Sequence, residues 1–232
     1  MVADMTEILL SIIIPVYNEA PTLQRLLDRV RSVNLPKELI IVDDGSTDGS
    51  RQMLEAEAAK ETTVIYQPTN MGKGAAIRKA LPYARGHYVI IQDADLEYDP
   101  TDYHKLVDVA LEKKAEVVYG SRLAGNRQDM SFLSWVGNKI LTLTTNVIYR
   151  TALSDMETCY KLWKREVIQS IPIKSDRFTF EPEVTAKVLK RHIRIHEVPI
   201  SYTARGTHEG KKITCKDGFS AFWALLYFRF FD

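Results

Sequence analysis

The stretch Tyr88-Val89-Ile90-Ile91-Gln92-Asp93-Ala94-Asp95-Leu96-Glu97 decides the fold. An apolar run drives straight into two carboxylates spaced by one residue. A strand buried on both faces of a parallel sheet is continuously apolar, and charge inside it is expensive. Asp93 and Asp95 therefore belong where the strand leaves the sheet, at the carboxyl end where open α/β sheets hold their ligands. Two hard oxygen ligands there suit Mg²⁺ or Mn²⁺, and such a cation suits the diphosphate of an activated substrate.

Working outward, residues 8–15 are β-branched and run up to the turn-prone Asn18. Leu23, Leu26, Leu27 and Val30 then fall at i, i+3, i+4 and i+7, which predicts a helix. Residues 38–42 read as a second short strand. The polar Asp43-Asp44-Gly45-Ser46-Thr47-Asp48-Gly49 follows, with capping residues that lead into a helix over 52–60. Residues 63–66 predict a third strand, 74–81 a helix and 88–92 the fourth strand. This alternation predicts βαβ units, a parallel sheet and right-handed crossovers. The second half is less regular, with strands over 116–120 and 193–199 and helices over 135–149 and 181–191. Val184, Val188 and Leu189 share a face of the last of these, and residues 124–131 read as a polar loop.

Residues 218–232 form an aromatic tail. Phe219, Phe222, Trp223, Leu226 and Phe230 share a helical face that Tyr227, Phe228 and Phe231 widen. Two readings stay open: a helix that completes the core, or one lying on a bilayer with Lys211, Lys212, Lys216 and Arg229 near lipid phosphates. Nothing approaches the roughly 20 apolar residues of a spanning helix, and residues 1–6 lack a basic leader, so the chain reads as soluble or peripheral. A formal net charge of +1 gives no general pull towards nucleic acid, so any anion preference must be local. Cys159 and Cys215 match no metal spacing and give no disulfide framework.

Four strand ends carry polar residues suited to one shared ligand: Tyr17-Asn18-Glu19, Asp43-Asp44-Gly45-Ser46, Asn70-Met71-Gly72-Lys73-Gly74 and Asp93-Ala94-Asp95. Clustered carboxylates repel unless a cation or hydrogen-bond donor lies between them, so they mark a site. There is no P-loop, no dinucleotide-binding glycine fingerprint after the first strand and no nucleophile elbow.

In this order, Ser11-Ile12-Ile13-Ile14-Pro15-Val16-Tyr17-Asn18-Glu19 and the three later segments resemble a family 2 glycosyltransferase of the GT-A fold. Gly120-Ser121-Arg122, Asp155-Met156-Glu157-Thr158-Cys159-Tyr160-Lys161 and Glu197-Val198-Pro199-Ile200, followed by Arg205 and Lys211-Lys212, resemble its dolichol-phosphate mannosyltransferase branch, bacterial polyprenyl-phosphate relatives included. The resemblance spans residues 10–212.

It implies a Rossmann-like, mostly parallel α/β sheet flanked by helices, in one domain over 1–232. Residues 1–100 would be the nucleotide-sugar-binding half, 101–213 the acceptor half and 214–232 the amphipathic tail, membrane-facing or core-completing. Pro15, Tyr17, Glu19, Asp43, Asp93 and Ala94 would hold the nucleotide sugar, with Asp44 structuring its turn. Asp95 and Glu97 would ligate Mg²⁺ or Mn²⁺. Arg122, Arg205 and Lys211, with Lys212, would meet phosphates. Some relatives place an Arg where Met130 stands, and Arg127 is the substitute at hand.

The implied activity is metal-dependent, inverting transfer of a hexose from GDP-mannose or UDP-glucose to a polyprenyl or dolichyl phosphate. A lipid phosphate, largely deprotonated at neutral pH, needs cations rather than a strong base. Transfer to a sugar hydroxyl would need a base carboxylate, Asp155 or Glu157, and that alternative stays open. So does an inactive membrane-bound homologue that recruits partners. The implied location is cytoplasmic and peripheral at the membrane face, any membrane contact coming from the tail or from a membrane partner subunit, with no nucleic acid.

Overall fold

The computed structural model describes residues 7–58, 62–124, 127–128, 130–205 and 215–232. Its first half follows the alternation of the sequence: β1 (Leu10–Val16), α1 (Ala20–Ser32), β2 (Lys37–Asp43), α2 (Ser50–Glu57), β3 (Thr63–Tyr66), α3 (Lys73–Ala80) and β4 (Tyr88–Ile91). The stripe Leu23, Leu26, Leu27 and Val30 is the buried face of α1. Then come α4 (Tyr103–Glu112), β5 (Val117–Ser121), β6 (Arg127–Gln128), α5 (Phe132–Tyr149), β7 (Lys161–Lys164), α6 (Arg165–Gln169), α7 (Phe180–Lys190), β8 (Ile195–Pro199), β9 (Tyr202–Thr203) and α8 (Cys215–Phe230). The helix expected over 135–149 starts earlier, because Ser131 caps it through Ser134 N–H. Neither α4 nor β7 was expected.

Seven strands form one sheet in the order β3-β2-β1-β4-β7-β5-β8, and β6 pairs separately with β9. β1 to β4 are mutually parallel. β7 is the exception, running antiparallel to both β4 and β5, while β8 is parallel to β5. The reversal has a geometric result. β5 and β8 keep the direction of β4, so the carboxyl ends of all six parallel strands lie at one edge. β7 runs the other way, so its amino end, and the Asp155-to-Tyr160 segment before it, reach that same edge.

The core is the sheet itself. Ile12, Ile13, Ile14, Ile40, Ile41, Val89 and Ile90 have no exposed surface. In the tail, α8 buries Ala221, Ala224, Leu225 and Phe228, and Leu225 packs with Leu141 of α5 and Met156. Phe219, Trp223 and Phe230 point outward. The helix thus closes part of the core and leaves an aromatic face outside. Among the described residues no helix is long and apolar enough to cross a membrane.

Candidate active site

The loops at the shared edge are fastened to one another before any ligand is considered. Asn18, at φ 52°, donates its N–H to Ser46 Oγ (3.0 Å) and accepts Thr47 N–H on Oδ1 (2.8 Å). Glu19 and Ala20 N–H donate to Ser50 Oγ and Asp48 Oδ2, so the loop after β2 satisfies the open donors that start α1. Asp44 accepts Met71 N–H (2.7 Å), Gly72 N–H (2.8 Å) and Gln67 Nε2 (2.8 Å), and so structures the turn after β3. Gly72 sits at φ 101°, with its Cα against the Asp176 carbonyl, where a Cβ would collide.

Asp43 is tied into the loop that it begins. Its side chain has no exposed surface, and it accepts Arg51 Nε (2.7 Å) and Ser46 N–H (3.1 Å). Those donors engage both carboxylate oxygens, so Asp43 also shapes the loop after β2. Pro15 and Tyr17 are half-buried at the end of β1. Ala94 is buried, and its carbonyl accepts Thr22 Oγ1 at 2.8 Å.

The acidic centre follows β4. Gln92 is held by the hydroxyls of Tyr103 and Tyr160, which fixes where the strand stops. Lys73 Nζ lies 2.8 Å from Asp93 and 2.8 Å from Glu181, joining α3, β4 and α7 through one ammonium. Leu96 adopts φ 63°, an uncommon conformation for a branched residue, in the turn between Asp95 and Glu97. Glu97 N–H donates to Asp95 Oδ1 (3.1 Å). Asp95 has no ion-pair partner among the described residues. Burial, then repulsion from Asp93 and Glu97, raises its pKa to about 7.

Residues 202–205 strap this centre from the far end of the chain. Tyr98 and Tyr202 form an antiparallel bridge, and Thr203 N–H donates to Glu97 O (2.9 Å). Tyr202 Oη donates to Glu97 Oε2 (2.9 Å), and Arg205 N–H to its Oε1 (2.9 Å). The Arg205 guanidinium reaches Asp95 O (2.9 Å) through Nε and the Glu19 carboxylate (2.5 Å) through Nη2. Arg122, expected among the phosphate cations, is instead buried in a bidentate pair with Asp155, at 2.8 Å on both arms. Its guanidinium also stacks over the Tyr202 ring, 5.3 Å from the centroid. Glu197 accepts the N–H groups of Ser154 (2.8 Å) and Asp155 (3.2 Å), setting the loop that presents Asp155.

Of the two carboxylates named as a base, Asp155 is unsuited. It caps no helix, its oxygens hold Arg122, and that pairing keeps its pKa low despite burial. Glu157 is different. Its Oε1 is buried with no hydrogen-bond partner among the described residues, and burial with repulsion from Glu181 lifts its pKa to about 7. Sequence reasoning assigned no role to Lys73, Glu181 or Tyr202. Only Lys73 carried a signal, its place in Asn70-Met71-Gly72-Lys73-Gly74. Lys211, Lys212 and the side chain of Arg127 lie outside the described residues.

A divalent cation fits Asp95. No group of three acids is poised to hold a metal among the described residues. Mg²⁺, however, is ordinarily bound by one or two carboxylates completed by substrate phosphates. A carboxylate with no ion pair among the described residues, set between two others, meets that requirement, with Glu97 beside it.

Comparison with known proteins identifies the family and the fold. Residues 11–171 match the model for glycosyl transferase family 2. The glycosyltransferase AglJ of Haloferax volcanii is 33% identical over 196 residues, covering 84% of this chain and 63% of that protein. An undecaprenyl-phosphate 4-deoxy-4-formamido-L-arabinose transferase of Pseudomonas fluorescens is 33% identical over 210 residues, covering 87% of this chain and 59% of that protein. The chain therefore spans about three fifths of the length of these relatives. Glucosyl-3-phosphoglycerate synthase from Mycobacterium tuberculosis, solved with Mn²⁺, UDP and phosphoglyceric acid, superposes with a TM-score of 0.74 at 19% identity. That match covers 95% of this chain and 78% of the synthase. The fold is GT-A-like, and the chain belongs to glycosyl transferase family 2.

Proposed function

We propose that this protein transfers a hexose from a nucleoside diphosphate, GDP-mannose or UDP-glucose, to a polyprenyl or dolichyl phosphate, with inversion and with Mg²⁺ or Mn²⁺. One observation carries the reading: Asp95, with no ion pair among the described residues, stands between Asp93 and Glu97 at the carboxyl edge of the sheet, and burial with their repulsion raises its pKa. The undecaprenyl-phosphate transferase named above supports a lipid-phosphate acceptor. The synthase crystallised with Mn²⁺ and UDP supports a nucleotide donor with a divalent cation.

Asp95 and Glu97 would hold the cation, which supplies Lewis-acid neutralisation of the departing diphosphate. The loops after β1 and β2 would seat the nucleoside through Pro15, Tyr17 and Glu19. Asp93 would face the ribose or sugar, held in place by Lys73. Arg205, now bound to Glu19 and to the Asp95 carbonyl, would turn part of its five-donor fork to a phosphate. Asp155 would hold Arg122 rigid against Tyr202, and so position Glu97. Because the acceptor is an anionic lipid, the reaction would run at the cytoplasmic membrane face, with or without a membrane partner subunit.

The hydroxyl-acceptor reading rests on Glu157, whose raised pKa and free oxygen suit a general base. A transfer assay with purified protein, Mg²⁺ or Mn²⁺, a short-chain polyprenyl phosphate and a panel of nucleotide sugars tests the choice. Glycolipid formation abolished by EDTA supports the phosphate acceptor. Metal-dependent nucleotide binding without transfer to any lipid phosphate moves the assignment to a hydroxyl and to Glu157.

A further inference from the structure

Glu157 lies on the segment that reaches the carboxyl edge of the sheet, and no hydrogen bond or ion pair holds it among the described residues. Its Oε1 is sealed from solvent, yet the residue keeps some exposed surface, so its other carboxyl oxygen is the open one. A buried polar atom left unsatisfied in a folded protein calls for a reason. Two arms of the site meet around it. On one side stands Glu181, at the end of the run Asp93–Lys73–Glu181. On the other stand Arg122 and Asp155, at the end of the run Glu97–Tyr202–Arg122–Asp155. Lys161 is its fourth charged neighbour. Both runs start at the acidic centre after β4, so Glu157 borders the space between them.

The cations around Glu157 are already spent. Lys73 places its ammonium on both Asp93 oxygens (2.8 and 2.9 Å) and on Glu181 (2.8 Å), which uses its three donors. Arg122 closes its fork on Asp155. Lys161 turns its Nζ to Met156 O (2.8 Å) and Thr158 O, over the Tyr119 ring. Asp93, Glu181 and Asp155 therefore balance Lys73, Arg122 and Lys161 without any charge on Glu157. An ionised Glu157 would be a surplus charge in a poorly hydrated place, and such a group takes up a proton instead. Burial, then the Glu181 charge, raises its pKa to about 7 in keeping with that count.

We infer that Glu157 is an acceptor-binding residue, its protonated carboxyl donating a hydrogen bond to the phosphate of the acceptor. This assignment deepens the lipid-phosphate reading and rests on it. A protonated carboxyl offers the anion a donor, whereas an ionised one would repel it. A hydroxyl acceptor would ask the opposite, a carboxylate free to take a proton. The Glu157 proton stays in place throughout. A phosphate dianion brings no proton to remove. Its oxygen bonds to the anomeric carbon, and the electron pair of the broken linkage leaves with the nucleoside diphosphate. One retained proton thus separates the two acceptor classes.

Steady-state kinetics with a short-chain, water-soluble polyprenyl phosphate, at saturating donor and Mn²⁺, test the assignment across pH. Above about pH 7 the acceptor is already mostly a dianion, so a change in its KM reports the enzyme. Acceptor KM should rise about fivefold from pH 7 to pH 8 as Glu157 ionises. Glu157→Ala should raise acceptor KM at pH 7 by about tenfold or more. Glu157→Gln keeps a donor, so it should recover most of that loss and hold acceptor KM level as pH rises. Circular dichroism checks that both variants fold. A rise in KM that survives in Glu157→Gln overturns the proposal. So does a turnover loss of orders of magnitude in Glu157→Gln with acceptor KM unchanged, the mark of a base. Calorimetry of the same acceptor with Mn²⁺ and a nucleoside diphosphate, at about pH 8 in two buffers of different ionisation enthalpy, separates the two readings. Proton uptake on binding without transfer defeats the reaction alone, and transfer without proton uptake defeats the role of Glu157 alone. Neither binding nor transfer defeats both.

Discussion

Glu19 and Arg205, 186 residues apart in sequence, close on each other through Oε2 and Nη2 at 2.5 Å. Glu19 leaves β1 and Arg205 leaves β9, so this contact ties together the first and last strand ends among the described residues. Arg205 also holds the Asp95 carbonyl and donates its own N–H to Glu97. One residue thus touches three of the acidic positions around the candidate metal site.

Arg205→Lys should keep the charge and lose the fork. A lysine cannot reach Glu19 and the Asp95 carbonyl together. We expect turnover to fall about 10- to 100-fold, with a smaller change in donor KM. Steady-state kinetics with varied nucleotide sugar reads both, and wild-type turnover in this variant would remove the strap from the site.

Asp95→Asn should keep the fold and lower turnover by about three orders of magnitude, because the cation loses its charged ligand. It should also abolish the rise in thermal midpoint that Mn²⁺ with a nucleoside diphosphate gives the wild type. A retained Mn²⁺-dependent shift would place the ligand elsewhere.

Glu157 should imprint a pH dependence on stability. Its folded pKa of about 7 exceeds that of an unfolded glutamate, so the folded state holds a proton the unfolded chain has released. Stability should therefore fall as pH rises from about 4.5 to about 7, with the loss complete above 7. Glu157→Gln should flatten that slope. Thermal melts across the window measure it, and parallel curves for the two proteins would refute the assignment.

Lys73→Met should destabilise the protein by about 3 kcal/mol or more, because Asp93 and Glu181 would share a poorly hydrated space with no cation between them. Urea unfolding tests this, and Lys73→Met with Glu181→Gln should recover part of the loss.

Leu225→Ala should cost about 2–4 kcal/mol, since that side chain fills the seam between α8, α5 and Met156. Phe219→Ala, on the outer face, should change unfolding free energy by less than about 0.5 kcal/mol. Equal effects would mean that α8 is not seated as described.

What the sequence disclosed depended on range. The apolar run into Asp93 and Asp95, and the stripe from Leu23 to Val30, are local patterns, and both stand where expected. The Arg122–Asp155 pair spans 33 residues and two segments with no shared periodicity, so nothing local announced it. The Asp43–Arg51 pair went unseen because Arg51 lies within a helix whose packing the pattern cannot give. The tail was undecided because α8 is apolar nearly all round. Ala221 and Ala224, small enough for close approach, choose its inner face. β7 escaped notice because four residues carry little pattern, and its direction is set by what it pairs with.

That reversed strand also governs how the molecule is made. β7 is translated some 70 residues after β4, yet it is the neighbour β4 needs on its open side. Until Lys164 has left the ribosome, the emerging polypeptide carries a bare, strongly apolar strand edge next to its most acidic loop. The nascent chain is then most exposed to mispairing, and substitutions that slow the return of β7 would lower the yield of folded protein before they altered its catalysis.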